Sequence, residues 1–346
     1  MHQDRVMPLL VEYLHDRIGV PYEKTVILIA LGTHRKSTPE EMVKICSKEV
    51  CDKVRVVDHD CDADDLVYVG TTPLGTKVMM NPLVVGRKVI VMGGTVHHMM
   101  AGFGGGRKNL LPGVAGRETI RQNHERALDP EKAMSDVRVG CCKLTGNPIH
   151  EDMVEAAHLV HADFGINLVV AASGAHSGIF CGEMDAAWEA SCEYQRKCYE
   201  IEVKEPADIV LCSSGGYPKD MNLYQGCKGM LNAMRALKPG GTMFWACKCP
   251  EGGGAPDYFS WLKPLQEGHL DASLRADFTI GGYIFFLTVE QLNKAAHVYA
   301  LTELDPEMVK PMGMEAGRDA AELIRKIDFT GKRVYVLPLA GSVVPV

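Results

Sequence analysis

Residues 93–124, GGTVHHMMAGFGGGRKNLLPGVAGRETIRQNH, form the stretch around which the chain is organised. This segment contains two adjacent histidines, a glycine-rich turn that leads into a lysine, and a third histidine at its end. Glycine has no Cβ atom, so a run of glycines allows positive φ angles and lets a ligand approach the backbone closely. A hydrophobic core needs neither property, and we therefore expect a cofactor site here.

The glycine-rich turn does not match either of two common nucleotide-binding motifs. A phosphate loop requires Gly-Lys followed by Ser or Thr, whereas this run reads Gly106, Arg107, Lys108 and Asn109. The dinucleotide fingerprint needs its third glycine where this chain has Arg107. The turn therefore indicates a cofactor of a different kind.

Two predicted strands lead into candidate catalytic histidines. Residues 25–31, TVILIAL, are a continuous apolar run of strand length, which is typical of a parallel strand covered on both faces. His34 follows the carboxyl end of this run, where ligands of open α/β sheets bind. A second predicted strand, 86–94, delivers His98 in the same way. We expect the two strands to end side by side and to direct both imidazoles at one cleft, although a lone histidine after a strand is more often structural.

Length and composition favour a two-domain α/β protein that acts on a small molecule. The 346 residues, of which 46% are hydrophobic, can bury a core large enough for two domains. The net charge of −7 gives the chain no overall positive charge to attract nucleic acids or anionic membranes. No apolar run reaches the roughly 18 residues of a membrane span, and the amino terminus is not typical of a signal peptide. We expect a cytoplasmic protein with no nucleic-acid or membrane partner.

The order and spacing of the motifs resemble a known family. His98, the sequence AGFGGGRK ending at Lys108, the following Pro-Gly and His124 closely resemble the signature of the nickel-dependent lactate racemases. In that family the lysine carries a nickel-pincer nucleotide, which is a nickel pyridinium-3,5-bisthiocarboxylic acid mononucleotide. The resemblance implies that this cofactor is attached covalently to Lys108 and that His124 ligates the nickel. It also implies that the cofactor contacts the glycines of the turn, which are Gly104, Gly105 and Gly106.

The same resemblance implies a reaction. His34 and His98 would be the two catalytic bases, and each would serve one enantiomer of a small 2-hydroxy carboxylate. One histidine takes the hydroxyl proton while hydride leaves Cα for the cofactor, and readdition of hydride to the other face of the 2-keto acid inverts the centre. We expect a racemase or epimerase, an isomerase of class EC 5.1.2.-. Lactate, malate, a longer 2-hydroxy acid and a sugar acid all remain open as substrates.

A second motif follows a predicted strand at 209–213. The segment SGGYPKDMNLYQGCKGM comes next, and Asp220 is the expected N-cap of its helix. The spacing places Gln225 and Lys228 on one face of this helix, which would be an ordinary exposed polar stripe without the resemblance. The resemblance implies that Tyr224, Gln225 and Lys228 bind cofactor or substrate.

We expect two α/β domains with a cofactor cleft between them. The amino-terminal domain would span 1–203 and carry the cofactor lysine, and the carboxyl-terminal domain would span 204–326. A terminal strand within 327–346 could pack back on the first domain. The family also has an Asp-x-Thr-Arg turn for the cofactor phosphate, which would fall at or just before Met1 here, so we expect an upstream extension. The alternative is a non-catalytic descendant that binds or stores the cofactor, and in either case the pincer-biosynthesis enzymes are expected partners.

Several other histidines are interpreted as structural or surface residues. His150, His158 and His161 do not have the spacing of a metal-binding motif such as HExxH. His59 lies in an acidic turn, and His97 is adjacent to the better-placed His98. The sequence does not predict the oligomeric state.

Overall fold

The computed structural model describes residues 2–171 and 174–346. Contacts within the chain divide it into two compact units. The first unit contains the residues up to Arg126 together with Arg138–Gln195, and the second contains Ala127–Val137 and Arg196–Val346. Among the helices of these described ranges, none has both the length and the apolar composition needed to cross a membrane.

The first unit alternates helices with short strands, as its apolar runs and helix caps predict. Its helices are α1 (Met7–Asp16), α2 (Pro39–Cys46), α3 (Lys48–Lys53), α4 (Arg117–His124), α5 (Pro148–His158) and α6 (Met184–Tyr199). Its strands are β1 (Val26–Ile29), β2 (Arg55–Asp58), β3 (Val67–Thr71), β4 (Lys77–Met80), β5 (Ile90–Gly94), β6 (His97–His98), β7 (Gly102–Phe103), β8 (Phe164–Val170) and β9 (His176–Gly182).

The strands of the first unit form several small ladders. β1 pairs in parallel with β2, and β5 pairs in parallel with β8, which in turn pairs antiparallel with β9. Within the described residues no ladder joins β1 to β5, so the prediction that these strands end as neighbours is wrong. An apolar run predicts a strand but does not specify its partner. Instead, Ile27 of β1 and Met92 of β5 pack against one apolar cluster that includes Met7, Val11 and Val50.

The beginning of α2 fixes the loop that carries His34. Thr38 and Glu41 form a reciprocal capping box, in which the Thr38 hydroxyl accepts from the Glu41 N–H and the Glu41 carboxylate accepts from the Thr38 N–H. The two terminal guanidinium nitrogens of Arg35, Nη1 and Nη2, also donate to Glu41, at 2.8 and 2.7 Å. Such a cap stabilises the start of the helix and orders the residues before it.

The second unit is built on a parallel sheet with the strand order β14-β13-β12-β11-β15. The strands of this unit are β10 (Glu200–Ile201), β11 (Ala207–Ser213), β12 (Leu237–Ala246), β13 (His297–Leu301), β14 (Glu315–Gly317), β15 (Val334–Leu337) and β16 (Val344–Pro345). Its helices are α7 (Leu223–Met234), α8 (Leu262–Gln266), α9 (Leu270–Ala276), α10 (Ile280–Leu292), α11 (Pro306–Val309) and α12 (Ala320–Arg325).

The carboxyl-terminal residues pair with strands of the second unit. β15 pairs in parallel with β11, and β16 pairs in parallel with β10, so residues 327–346 belong to the second unit. β15 supplies hydrogen-bond partners to a side of β11 that would otherwise be an open sheet edge. The division between the units also falls after Gln195, earlier than the predicted boundary after residue 203.

Candidate active site

His98 lies in a tight hairpin formed by β6 and β7, in which it faces Gly102. The turn at 99–101 brings two main-chain donors back to its ring. The N–H groups of Met100 and Ala101 donate to Nδ1 of His98 at 3.2 and 3.1 Å. Because Nδ1 is an acceptor, the neutral ring carries its proton on Nε2. His98 therefore presents an N–H at Nε2 and not a lone pair.

The glycine turn is packed too closely to accept side chains. Gly105 has φ +75°, and a Cβ there would lie 2.9 Å from Oγ1 of Thr95. Gly106 has φ +49°, and a Cβ there would lie 2.6 Å from Cγ of Trp188. The neighbouring Gly104 accepts a 2.8 Å hydrogen bond from Nε1 of Trp188 on its carbonyl oxygen. The contacts at positions 105 and 106 require glycine, and the contact of Gly104, Gly105 and Gly106 with a cofactor stays a prediction.

Two main-chain hydrogen bonds connect the loop of His34 with the segment of Lys108. The N–H of Gly32 donates to the carbonyl oxygen of Gly113 at 2.9 Å, and the N–H of Gly113 donates to the carbonyl oxygen of Lys108 at 3.0 Å. A Cβ on Gly113 would lie 2.8 Å from Cβ of Ala30. The two candidate residues are thus brought together through loop contacts and not through strand pairing. His34 is exposed, whereas Lys108 is half-buried.

His124 is the last residue of α4 and is only 3% exposed. Its Nδ1 donates a 2.9 Å hydrogen bond to the carbonyl oxygen of Ile120, which leaves the lone pair of the neutral ring on Nε2. Burial, followed by the positive charge of Lys108, lowers the pKa of His124 to about 3. A neutral imidazole whose Nδ1–H is bound by a carbonyl is the form in which histidine ligates metals.

A buried carboxylate that the sequence does not reveal supports this end of α4. Asp152 of α5 accepts hydrogen bonds from the hydroxyls of Thr72 and Thr76 at 2.5 and 2.8 Å, and from Nδ2 of Asn123 at 2.9 Å. Arg126 forms an ion pair with it at 3.6 Å. Asn123 immediately precedes the buried histidine. The network therefore holds the end of α4 that carries His124, the candidate metal ligand.

Arg107, the residue of the turn that fits no nucleotide-binding motif, lies in the interior with 1% exposure. It donates to the carbonyl oxygens of Ala101 and Phe103 at 2.8 and 3.1 Å, and its Nε donates to Nδ1 of His150 at 3.0 Å. The guanidinium carbon lies 3.8 Å from the centre of the Trp188 ring. Arg107 is the one residue between the glycines and Lys108, and a charged residue at that position is a signal by which sequence analysis could have marked it as a site residue.

Two of the histidines interpreted from the sequence as structural or surface residues, His59 and His158, have side-chain contacts within the first unit. His59 is buried, with Nε2 donating to the carbonyl oxygen of Ala115 at 2.9 Å and Nδ1 accepting from Nδ2 of Asn81 at 3.2 Å. Both ring nitrogens of His59 are therefore engaged in hydrogen bonds within the protein. His158 is exposed and forms a 2.6 Å ion pair with Asp185.

The candidate residues of the second unit cluster at the beginning of α7. Asn222 is the N-cap, since its side chain accepts from the N–H of Gln225 at 3.0 Å, and the predicted cap Asp220 lies two residues too early. Nζ of Lys228 donates to Oε1 of Gln225 at 2.5 Å and lies 5.9 Å from the centre of the Tyr224 ring. Their placement on one helical face is confirmed, whereas their binding of cofactor or substrate stays a prediction.

Two family profiles match this chain. The profile described as the lactate racemase N-terminal domain matches residues 1–135, and the profile described as the lactate racemase C-terminal domain matches residues 202–344. Together the two profiles cover most of the chain.

Individual relatives support the same grouping. A lactate racemase of Thermoanaerobacterium thermosaccharolyticum is 35% identical over 265 residues, which are 75% of this chain and 60% of that protein. A lactate racemase of Lactiplantibacillus plantarum is 30% identical over 329 residues, which are 93% of this chain and 76% of that protein. The chain thus spans less than two thirds of the length of the first of these relatives.

Solved structures share the fold. The lactate racemase apoprotein of Thermoanaerobacterium thermosaccharolyticum superposes with a TM-score of 0.89 at 29% identity, over all of this chain and 83% of that one. A protein from Thermotoga maritima superposes with a TM-score of 0.73 at 17% identity, over 99% and 90% of the two chains, which is a similarity of fold alone. The predicted α/β fold class is confirmed.

Proposed function

The chain belongs to the lactate racemase family, and we propose that it racemises or epimerises a 2-hydroxy carboxylate with a nickel-pincer nucleotide attached to Lys108. The observation that carries this proposal is the proximity of a half-buried lysine to a buried, neutral histidine. The charge of Lys108 contributes to the lowered pKa of His124, so the two side chains are within electrostatic reach. A covalent attachment point and a metal ligand are thereby available together.

The donor chemistry of these residues fits such a cofactor. Lys108 offers a primary amine, which would condense with a thiocarboxylic acid group of the cofactor to a thioamide, with loss of water. Nε2 of His124 offers the nitrogen lone pair that imidazole contributes to nickel, and sulfur, carbon and one imidazole suit a square-planar nickel site. When bound, the cofactor supplies a reversible hydride acceptor, which no amino-acid side chain provides.

His34 and His98 are the proposed proton-transfer residues. At rest, His98 presents an N–H at Nε2 and can donate a hydrogen bond to a substrate oxygen. A half-turn of the ring about Cβ–Cγ would release Nδ1 from its two amide donors, after which the ring could hold a proton on Nδ1 and accept another at Nε2. We assign proton removal from one enantiomer to His34 and from the other enantiomer to His98 after this release.

Gln225 and Lys228 are assigned to the binding of substrate or cofactor. Lys228 supplies a cation and Gln225 an amide, and both groups suit a carboxylate or phosphate oxygen. The 2.5 Å hydrogen bond between their side chains keeps them together on α7. Tyr224, which borders Lys228, is assigned to the same task.

Mass spectrometry of protein produced together with the three pincer-biosynthesis enzymes tests the assignment. We expect the mass of the nucleotide on the peptide that holds Lys108, and we expect Lys108→Ala to lose it. Lys88→Ala is the control, since Lys88 is exposed and forms an ion pair with Asp163, and it should load normally. An unmodified Lys108 in protein produced together with these enzymes would contradict the proposal. Full loading without racemisation of any 2-hydroxy acid in a panel would favour the cofactor-storing alternative.

A further inference from the structure

The buried guanidinium of Arg107 has no negatively charged hydrogen-bond acceptor in the described part of the chain. Its acceptors are two main-chain carbonyl oxygens, of Ala101 and Phe103, and the ring nitrogen Nδ1 of His150. One face of the guanidinium stacks on Trp188. Burial of a cation without a paired anion costs free energy, and an apolar side chain of similar size is often at least as stable in such a place. Stability alone therefore does not account for this arginine.

The two carbonyl acceptors of Arg107 belong to the hairpin that holds the ring of His98. The N–H groups of Met100 and Ala101 donate to Nδ1 of His98, while the carbonyl oxygen of Ala101 accepts from Arg107. On the same hairpin, the carbonyl oxygen of Met100 accepts from Nδ2 of Asn147 at 2.8 Å. In a planar trans peptide the C=O and N–H groups point in opposite directions. The bond from Asn147 to Met100 therefore directs the N–H of Ala101, which belongs to the same peptide, at the histidine. The bond from Arg107 fixes the next peptide, so Ala101 is held on both sides.

Arg107 also joins this hairpin to the turn of the cofactor lysine. It is the residue directly before Lys108, and both lie in a 3-10 turn over Gly106–Asn109. Trp188, on which Arg107 stacks, is hydrogen-bonded to the carbonyl oxygen of Gly104, two residues before that turn. One side chain thereby connects the main chain around His98 with the main chain around Lys108.

We propose that Arg107 is a positioning residue that keeps the proton of neutral His98 on Nε2 by holding the carbonyl groups of the His98 hairpin. The importance of this proton for turnover rests on the proposed function. The position of the proton itself is a property of the protein without cofactor or substrate. It can therefore be measured whether or not the chain is a racemase.

Arg107→Lys is the first test, with Arg117→Lys as the matched control. Lysine keeps the charge but has a single nitrogen, so it cannot reach both carbonyls and His150 with the fixed fork of arginine. Arg117 is exposed and forms an ion pair with Asp62. Long-range ¹H–¹⁵N spectra of histidine-labelled protein without cofactor report which ring nitrogen is protonated, and His98→Gln assigns the His98 signals.

We expect the wild type and Arg117→Lys to show an unprotonated Nδ1 and a protonated Nε2 for His98. Arg107→Lys should show signals averaged between the two tautomers, and amide hydrogen exchange over residues 97–103 should be about tenfold faster. A folded Arg107→Lys protein with the wild-type His98 pattern and wild-type exchange would overturn the proposal.

A pair of His150 variants tests the same proposal if Arg107→Lys does not fold. Gln at position 150 supplies an acceptor for Nε of Arg107, whereas Phe preserves an aromatic ring beside Trp188 but has no acceptor. We expect His150→Gln to keep the wild-type exchange over residues 97–103 and His150→Phe to exchange about threefold faster. Equal exchange in the two variants would overturn the proposal. Neither readout depends on cofactor loading or turnover, so failure of the racemase assignment would be seen separately.

Discussion

His98 and His124 both bind the main chain through Nδ1, but in opposite roles. Nδ1 of His98 accepts hydrogen bonds from two main-chain N–H groups, whereas Nδ1 of His124 donates to the carbonyl oxygen of Ile120. Neutral His98 therefore presents an N–H at Nε2, and neutral His124 presents a lone pair there. The first arrangement suits hydrogen bonding to a substrate oxygen, and the second suits metal ligation.

Removal of the His124 imidazole should release nickel but leave the nucleotide on Lys108. In His124→Ala protein produced with the pincer-biosynthesis enzymes, we expect nickel loss to a chelator to be at least about tenfold faster than in the wild type. Elemental analysis after dialysis measures the nickel, and intact mass measures the nucleotide. His158→Ala is the control, because His158 is exposed and its side chain binds Asp185. Wild-type retention of nickel by His124→Ala would remove this residue from the proposed ligands.

Gly113→Ala should destabilise the first unit because of a steric clash. A Cβ at this position would lie 2.1 Å from the carbonyl oxygen of Asn109 and 2.8 Å from Cβ of Ala30. We expect a loss of about 3 kcal/mol in the free energy of unfolding. The control is Gly86→Ala, which has φ +68° and open space around the Cβ, so it should cost only about 1 kcal/mol of backbone strain. Equal losses in urea unfolding would show that the clash is relieved by movement of the loop.

Acid should destabilise the first unit through His150. Burial, followed by the positive charge of Arg107, lowers the pKa of His150 to about 3, whereas an unfolded histidine has a pKa of about 6.5. The unfolded state therefore binds the proton more tightly. This contribution to stability is complete above about pH 6.5 and falls as the pH decreases towards 3, by at most about 1.4 kcal/mol per pH unit.

Urea unfolding of the wild type and His150→Gln between pH 7 and pH 5 isolates this contribution. His124 is present in both proteins, so its own titration cancels in the comparison. We expect the free energy of unfolding to depend less on pH in His150→Gln. The same pH dependence in both proteins would mean that His150 is not held in its neutral form by the folded chain.

The features that the sequence predicts correctly depend on neighbours along the chain. The apolar run that becomes β1, the capping box of Thr38 and Glu41, and the common face of Gln225 and Lys228 are all local patterns. The fold class follows from such patterns, because alternating strands and helices require a layered α/β arrangement.

The features that the sequence does not predict depend on groups distant along the chain. Asp152 binds Thr72, a residue 80 positions earlier, and no local pattern connects the two. The supposed neighbours β1 and β5 each pair with a different strand, since an apolar run carries no information about its partner. The proton positions on the histidine rings were equally inaccessible, because main-chain groups that only the fold brings into place determine them.

Transfer of the substrate's own hydrogen at Cα is the central claim about the reaction, and deuterium tests it most directly. Protein loaded on Lys108 is incubated in ordinary water with one enantiomer of a 2-hydroxy acid that carries deuterium at Cα, and chiral chromatography with mass spectrometry follows both enantiomers. We predict that the opposite enantiomer forms with its deuterium retained, and that His34→Ala or His98→Ala slows its formation at least about 100-fold. Product that carries hydrogen from water, or no product from fully loaded protein, would contradict the claim.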